Sequence, residues 1–425
     1  MTGFLTKINN IIWGWPYIIL LIGISVYITI KLKFPQFRIL LAFKDMFKRN
    51  DNKGITPFKA LMTTLAGTLG TGNITGIATA IVIGGIGSLF WLFISGIFAL
   101  AISYAENYIV LKHRRHSKYG GYFGGSMYVL EDALDKRFLA VTFSLFVIIS
   151  AICSGSMTQA NSLRVLLTSS TNVNKYIVAI VLIIIASYII CGGKYRLAKI
   201  NTIVIPLCTI AYILLCTTII YINKQNILPG IKAIVQSAFG VKQMLGGVVG
   251  ISLSKIIGKG FAIGMFSNEA GMGSAPIFTA TVDENNIEEQ ARIAATGVII
   301  DTLLLCTLTG ITIVSTGAYN ITDVGLLLNT VFGSVYGGTV VLNICMVFFV
   351  ISTIPCWEFY GEQAVKYIFK SNFAIYVFRI LYVLGIYIGC ISALGIVWDI
   401  SGISNALMTL PNIYMIYKCI KEEYC

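Results

Sequence analysis

Histidine is nearly absent from this chain: 425 residues hold two, His113 and His116, both in a basic loop. A multi-histidine metal site or a histidine-based hydrolase triad therefore cannot be built inside its apolar segments. Charge is sparse too, at 12% of residues, with 18 acids against 31 Lys and Arg. Ten cysteines occur without a C-x-x-C pair. Cys153, Cys191, Cys208, Cys216, Cys306, Cys345, Cys356 and Cys390 fall in or beside apolar stretches and read as small hydrophobes rather than a disulfide or zinc framework. These absences remove most enzyme classes.

What the chain has is apolar surface, 56% hydrophobic residues at a mean hydropathy of +0.83, more than a soluble core of this size hides. Its net charge of +13 sits in short loops between apolar runs, where it sets topology and meets anionic headgroups rather than nucleic acid. The first apolar run, Pro16 to Ile30, is followed by its positive charges (Lys31, Lys33, Arg38, Lys44, Lys48, Arg49) and shows no small-residue cleavage site, so a retained helix is expected.

Crossing ~30 Å of hydrocarbon takes about 20 mostly apolar residues. Eleven such spans are expected, near 15–33, 57–84, 87–112, 138–165, 174–192, 200–222, 246–282, 292–316, 337–366, 372–390 and 393–418. Basic clusters follow spans one (Lys44 to Lys53), three (Lys112 to Lys118), five (Lys194, Arg196, Lys199) and nine (Lys366, Lys370), while 317–336 has none. Positive-inside counting then places the N-terminus outside and the C-terminus in the cytoplasm of a multi-pass plasma-membrane protein. The segment 223–243 carries Lys224, Lys232 and Lys242 on the expected outer side. Its apolar Ile227, Leu228, Ile231, Ile234, Val235 and Phe239 predict an amphipathic helix along the interface.

With the first span set aside, ten remain, and the span that opens each group of five is interrupted by glycine. Span two holds Gly67-Thr68-Leu69-Gly70-Thr71-Gly72-Asn73-Ile74-Thr75-Gly76, and span seven holds Asn268-Glu269-Ala270-Gly271-Met272-Gly273-Ser274-Ala275-Pro276. Five spans between the two starts give the groups opposite orientation. Paired broken helices at matching places point to an inverted-repeat carrier with its site at the midplane. Unwound backbone in hydrocarbon survives only where protein, water or ligand satisfies it. Half-helix N-termini suit a carboxylate, and exposed carbonyls suit an ammonium group or a small hard cation. The blander reading, glycines that let helices pack closely, is common in membrane bundles.

Other polar groups inside the spans are weighed the same way. Asp301, about nine residues into span eight, is expected to orient the broken helix or serve a cation. Glu269 lies within the second break and reads as a clamp on unwound N–H groups. Glu106 and Glu362, near expected cytoplasmic ends, read as partners of loop bases. Gln159 is placed to reach a ligand or a neighbouring helix, and Ser352-Thr353 offers two hydroxyl oxygens of the kind Na+ requires.

The run from Gly70 to Ile81 with Gly84-Gly85 and Phe90-Trp91, and the run from Phe266 to Pro276, resemble the signatures of the alanine or glycine:cation symporter family. Gly297-Val298, Ile300-Asp301-Thr302, Cys306-Thr307, Phe349 to Thr353, Trp357, Tyr360-Gly361-Glu362, Asn405 and Pro411-Asn412 continue the match in order over nearly the whole chain. The resemblance implies an all-α, leucine-transporter-like 5+5 inverted repeat with one extra N-terminal helix. Its parts would be 1–56 (extra helix and basic loop), 57–222 (first repeat), 223–245 (extracellular loop), 246–418 (second repeat) and 419–425 (tail). It further implies substrate contacts from Thr68, Gly72, Asn73, Thr75, Gln159, Phe266, Asn268, Gly271 and Gly273. A Na+ site would lie at Gly70, Thr71, Ser352 and Thr353, with Asp301 at a characteristic family position.

The chain departs from the family pattern at Gly85-Ile86, at Gly124-Gly125-Ser126-Met127 and at Pro355-Cys356-Trp357-Glu358. Gly402 stands where the family aspartate is expected, with Asp399 the nearest acid. The expected function is Na+-coupled inward symport of a small neutral amino acid, alanine or glycine, by alternating access, with no covalent chemistry. A proton-coupled carrier of the same fold, with Glu358 or Asp301 titrating, stays open, as do a channel and a membrane-embedded enzyme.

Overall fold

The computed structural model describes residues 2–46, 55–117, 121–171, 173–240, 253–283 and 286–422. Lys48, Arg49, Lys53, Lys118, Lys242, the start of the seventh expected span (246–252) and the end of the tail (423–425) lie outside the described residues.

The chain opens with α1 (Thr2–Ile12), α2 (Trp15–Lys31) and α3 (Pro35–Asp45), the latter two each started by a proline in the first turn. Next comes α4 (Pro57–Thr68), whose N-cap Thr56 accepts from the Lys59 N–H at 3.4 Å. It is followed by α5 (Thr75–Gly84) and α6 (Ser88–Lys112). A two-residue hairpin, β1 (Arg115–His116) against β2 (Tyr122–Phe123), leads to α7 (Ser126–Asp132). Then α8 (Arg137–Ser150) runs into α9 (Gln159–Thr171) through a π-helical turn at Ala151–Thr158. The middle of the chain forms α10 (Lys175–Ile190), α11 (Gly193–Ile222) and α12 (Ile227–Ala238). Beyond it lie α13 (Leu253–Asn268) and α14 (Ala275–Thr279), then α15 (Ile287–Val298) and α16 (Thr307–Ser315), joined by a second π-helical turn at Ile299–Cys306. The chain closes with α17 (Val324–Phe332), α18 (Gly338–Phe369), α19 (Asn372–Ile391) and α20 (Leu394–Lys421).

Helices, whole or broken, thus cover the apolar segments in order, and seven of those among the described residues are individually long and apolar enough to cross a membrane. On α11 one stripe (Ile205, Cys208, Tyr212, Ile219) is buried, while Ile203, Leu207, Ile210 and Leu214 are exposed. An apolar face turned outward is what a hydrocarbon solvent demands. Lys194, Arg196 and Lys199, expected in a loop, occupy the first turns of α11, because Leu197, Ala198 and Asn201 between them are buried and continue the helix inward. Short helices lie where loops are expected, α3, α7 and α17 among them. Ile39 and Ala42 of α3 are fully buried against neighbours that include α15, and α17 is capped by Asp323, which accepts from the Leu326 N–H at 2.8 Å. In α12, Leu228, Ile231 and Val235 form an exposed apolar face.

Candidate functional site

Both glycine-rich runs interrupt their helices. Between α4 and α5 the Gly70 N–H turns to the Asn73 Oδ1 at 3.1 Å, and the Thr71 N–H donates to the Gln159 Oε1 on α9 at 3.1 Å. Side-chain acceptors thus replace helical carbonyls. Between α13 and α14 the chain passes through left-handed conformations at Glu269 (φ 55°), Gly271 (φ 81°) and Gly273 (φ 74°), which no helix can follow.

Four segments converge at the first break. The Thr353 hydroxyl on α18 lies 3.2 Å from the Leu69 carbonyl and 2.8 Å from the Phe349 carbonyl. A Cβ on Gly70 would lie 2.7 Å from the Gln159 Oε1 and 3.0 Å from the Thr353 Oγ1, so only glycine fits there. The hydroxyls of Thr71, Thr75 and Ser352 are buried and have no hydrogen-bond partner among the described residues. Unpaired buried hydroxyls are costly, and a ligand at this place would satisfy them. Thr68, by contrast, bonds back to the Leu65 carbonyl of its own helix at 3.2 Å.

Asp301 ties the two breaks together from the second π-helical turn. Its carboxylate accepts from the Asn73 amide at 2.5 Å, from the Ser267 hydroxyl at 2.8 Å and from the adjacent Thr302 hydroxyl at 2.7 Å. Asn268 reaches the same helix, donating to the Thr302 Oγ1 at 3.1 Å, while its Oδ1 holds the Ala270 N–H at 3.0 Å. Because π turns widen the helix by one residue, they aim side chains that an α-helix would turn away, and they recur at functional sites. The first π turn serves α18 similarly: Gly155 lets Trp357 pack so closely that a Cβ would lie 2.2 Å from the Trp357 Cβ.

The acid that holds the second break is Glu106 on α6, not Glu269. Glu106 is 1% exposed, and its Oε2 accepts from the N–H groups of Gly271 (3.1 Å) and Gly273 (3.2 Å) and from the Asn412 amide (2.9 Å). Asn412 also donates to the Gly271 carbonyl at 2.8 Å. Glu269 accepts the Ser274 hydroxyl at 2.5 Å. The expectation that Glu106 pairs with loop bases fails because α6 continues two turns beyond it, burying it against α13 and α14. A lone acid six residues before the helix end, inside Ser103-Tyr104-Ala105-Glu106-Asn107, was the available signal. Glu362 does pair with bases, Lys366 and, at 2.5 Å, Arg379 of α19. Glu358 joins that cluster through Arg379 at 3.0 Å.

Two cavities flank the breaks. One of about 510 Å³ is lined by Glu358, Glu362, Lys366, Arg379, Lys194 and Tyr122, gathering residues from basic segments distant in sequence. The other, about 370 Å³, is lined by Asn9, Trp13, Lys259, Phe266, Trp398 and Asp399 among others. Its floor is the Phe266–Trp398 ring pair, with centroids 4.7 Å apart. Phe266 also packs on Gly72, and Trp398 on Gly76. The wall of this cavity joins the chain's first and last helices. Thr6 and Asn9 donate to the Asp399 carboxylate at 2.6 and 2.8 Å, Trp13 to the Gly402 carbonyl at 3.2 Å and Tyr17 to the Ala406 carbonyl at 3.2 Å. A Cβ on Gly402 would lie 2.7 Å from the Asn9 Oδ1, so the side chain of Asn9 takes the room an aspartate there would need.

The sodium:alanine symporter family profile matches residues 1–423. The chain belongs to that family. It is 34% identical over 426 residues to the sodium/alanine symporter AgcS of Methanococcus maripaludis, covering 97% of this chain and 93% of that protein. It is also 32% identical over 425 residues to the probable sodium/glutamine symporter GlnT of Bacillus subtilis, covering 98% and 88%. Its backbone matches the crystal structure of MhsT in complex with L-phenylalanine with a TM-score of 0.61 at 14% identity, over 87% of this chain and 90% of that one. Membership makes this a multi-pass membrane transporter of the sodium-coupled amino-acid symporters.

Proposed function

We propose that this protein moves a small neutral amino acid, alanine or glycine, inward together with Na+ by alternating access. The observation that carries this reading is the buried, unpartnered hydroxyl set of Thr71 and Ser352 on the two segments that meet at Gly70 and Thr353. With the Leu69 carbonyl they supply the hard oxygen ligands that replace the hydration shell of Na+.

The amino-acid carboxylate would sit at the N-terminal end of α5, near Gly72, Thr75 and the free Thr75 hydroxyl, with Gln159 closing that side. Asn73, Asn268, Gly271 and Gly273 have their hydrogen-bonding groups engaged with Asp301, Thr302 and Glu106. They shape the site by fixing both breaks. Phe266 packs directly on Gly72, which brings an aromatic ring against the first break. In this reading all eleven apolar segments cross the bilayer, with 57–222 and 246–418 as repeats of opposite orientation. The N-terminus lies outside, and the cavity that gathers Lys194, Lys366 and Arg379 opens to the cytoplasm. Glu358 is a structural ion-pair partner.

Reconstituted protein is expected to accumulate labelled alanine or glycine under an inward Na+ gradient and not under an H+ gradient alone. Concentrative uptake driven by H+ without Na+ would move the coupling site to the carboxylates. Transport of glutamine with exclusion of alanine and glycine would overturn the assignment of the cargo.

A further inference from the structure

The second break buries two carboxylates, Glu106 and Glu269, each 1% exposed, on α6 and at the end of α13. Among the described residues neither pairs with Lys, Arg or His: the partners of Glu106 are three N–H groups, and those of Glu269 are the Ser274 hydroxyl and the Trp357 side chain, both neutral. The charged groups acting on Glu269 are Asp301 and Glu106, both acids, and the buried side chains that feel Glu269 in turn are Tyr360 and Cys356 on α18. Asp301 is itself answered by Asn73, Ser267 and Thr302.

Three N–H donors converge on one oxygen of Glu106, which stabilises the ionised form. Two neutral donors at Glu269, set beside two other acids, do not repay the desolvation of a second negative charge in the same water-poor place. Two further atoms there stand unpaired, the Glu106 Oε1 and the hydroxyl of Tyr360, which is fully buried. No group of three His, Cys, Asp or Glu side chains among the described residues is arranged to hold a metal ion.

We propose that Glu106 and Glu269 hold one proton between them, resident on Glu269, making the second break a proton site separate from the Na+ ligands at Thr71 and Ser352. The pair then carries a single negative charge, seated on the three N–H donors that give the break its shape. With that proton gone, Glu269 would face Glu106 and Asp301 as a third uncompensated anion, and the unwound segment would open. This assignment does not depend on which amino acid or ion is transported.

Infrared difference spectroscopy of the full-length protein in nanodiscs, titrated from acid to alkaline buffer, reads the site directly. Wild type is expected to show a protonated-carboxyl stretch that persists at neutral pH. Glu269→Gln, which keeps the hydroxyl bond from Ser274, is expected to abolish that band. Glu106→Gln removes a negative neighbour and is expected to shift its midpoint to lower pH. A band unchanged in both variants would assign the proton elsewhere, Asp301 included, and overturn the proposal. Loss of the wild-type band on adding Na+ at constant pH would make the occupant a metal cation and overturn it equally. Should Glu269→Gln fail to fold, the midpoint shift in Glu106→Gln decides alone.

Discussion

The Ser352 hydroxyl separates a cation ligand from a structural group, because its two roles have opposite signs. It is 1% exposed and has no partner among the described residues. An unpaired buried hydroxyl costs about 1–3 kcal/mol, and the void left by its removal costs roughly 1 kcal/mol. Ser352→Ala is therefore expected to be as stable as wild type, or up to about 2 kcal/mol more stable, in Na+-free buffer. Bound Na+ acts in the opposite direction. At 100 times its dissociation constant a ligand stabilises the native state by about 2.7 kcal/mol. Losing one oxygen ligand worth about 1.4–2.8 kcal/mol weakens Na+ by about 10–100-fold, which removes about 1.3–2.3 kcal/mol of that gain. Thermal unfolding of the purified protein, with Na+ titrated against choline at constant ionic strength, measures both arms. The expected signature is an unchanged or higher midpoint without Na+ and a Na+ response displaced 10–100-fold upward. A lower midpoint without Na+, or a Na+ response identical to wild type, refutes the argument.

Asp301→Asn replaces an acceptor of three hydrogen bonds, each worth about 1.5–3 kcal/mol at a charged group. It is expected to cost about 3 kcal/mol in unfolding free energy and to abolish uptake even at saturating Na+. Gly155→Ala places a Cβ 2.2 Å from that of Trp357 and is expected to lose about 1–3 kcal/mol by overpacking, seen as a lower midpoint and poorer yield. In Glu358→Gln, Arg379 keeps Glu362, so Na+-driven uptake is expected to persist with a stability change of about 1 kcal/mol or less. Loss of pH dependence in its uptake would instead make Glu358 a proton site. Gly402→Asp sets a carboxylate against Asn9 and one turn from Asp399. Faster proteolysis within residues 2–14 would report the release of α1, and wild-type protection would count against the close approach.

The sequence told most about what depends on period and backbone. Apolar runs located the helices, and the clustered glycines from Gly67 to Gly76 and from Gly271 to Gly273 located both interruptions, since no other residue type tolerates such geometry cheaply. Partners escaped it, because they are set by contacts across hundreds of residues. Glu106 and Asn412 are 306 positions apart, yet both hold the same backbone turn. Arg379 stood alone in an apolar segment, a signal that it needed an acid, and Glu358 and Glu362, one turn apart, offered two. The π turns at Ala151–Thr158 and Ile299–Cys306 left no mark, since one extra residue in an otherwise continuous helix changes neither composition nor apolar period enough to detect.

The ladder between α1–α2 and α20 bears on how the molecule is made. Its rungs join residues 389 to 393 positions apart, so the first helices to leave the ribosome wait for the last one before one cavity wall exists. Until then Asn9, Trp13 and Tyr17 offer their hydrogen-bonding groups to headgroups and water. Closing so long a loop comes late in assembly, after local helix pairs have formed. A chain stalled or truncated ahead of Leu394 would therefore hold most of its helices and still lack both this wall and Asn412, the amide that ties Glu106 to the second break.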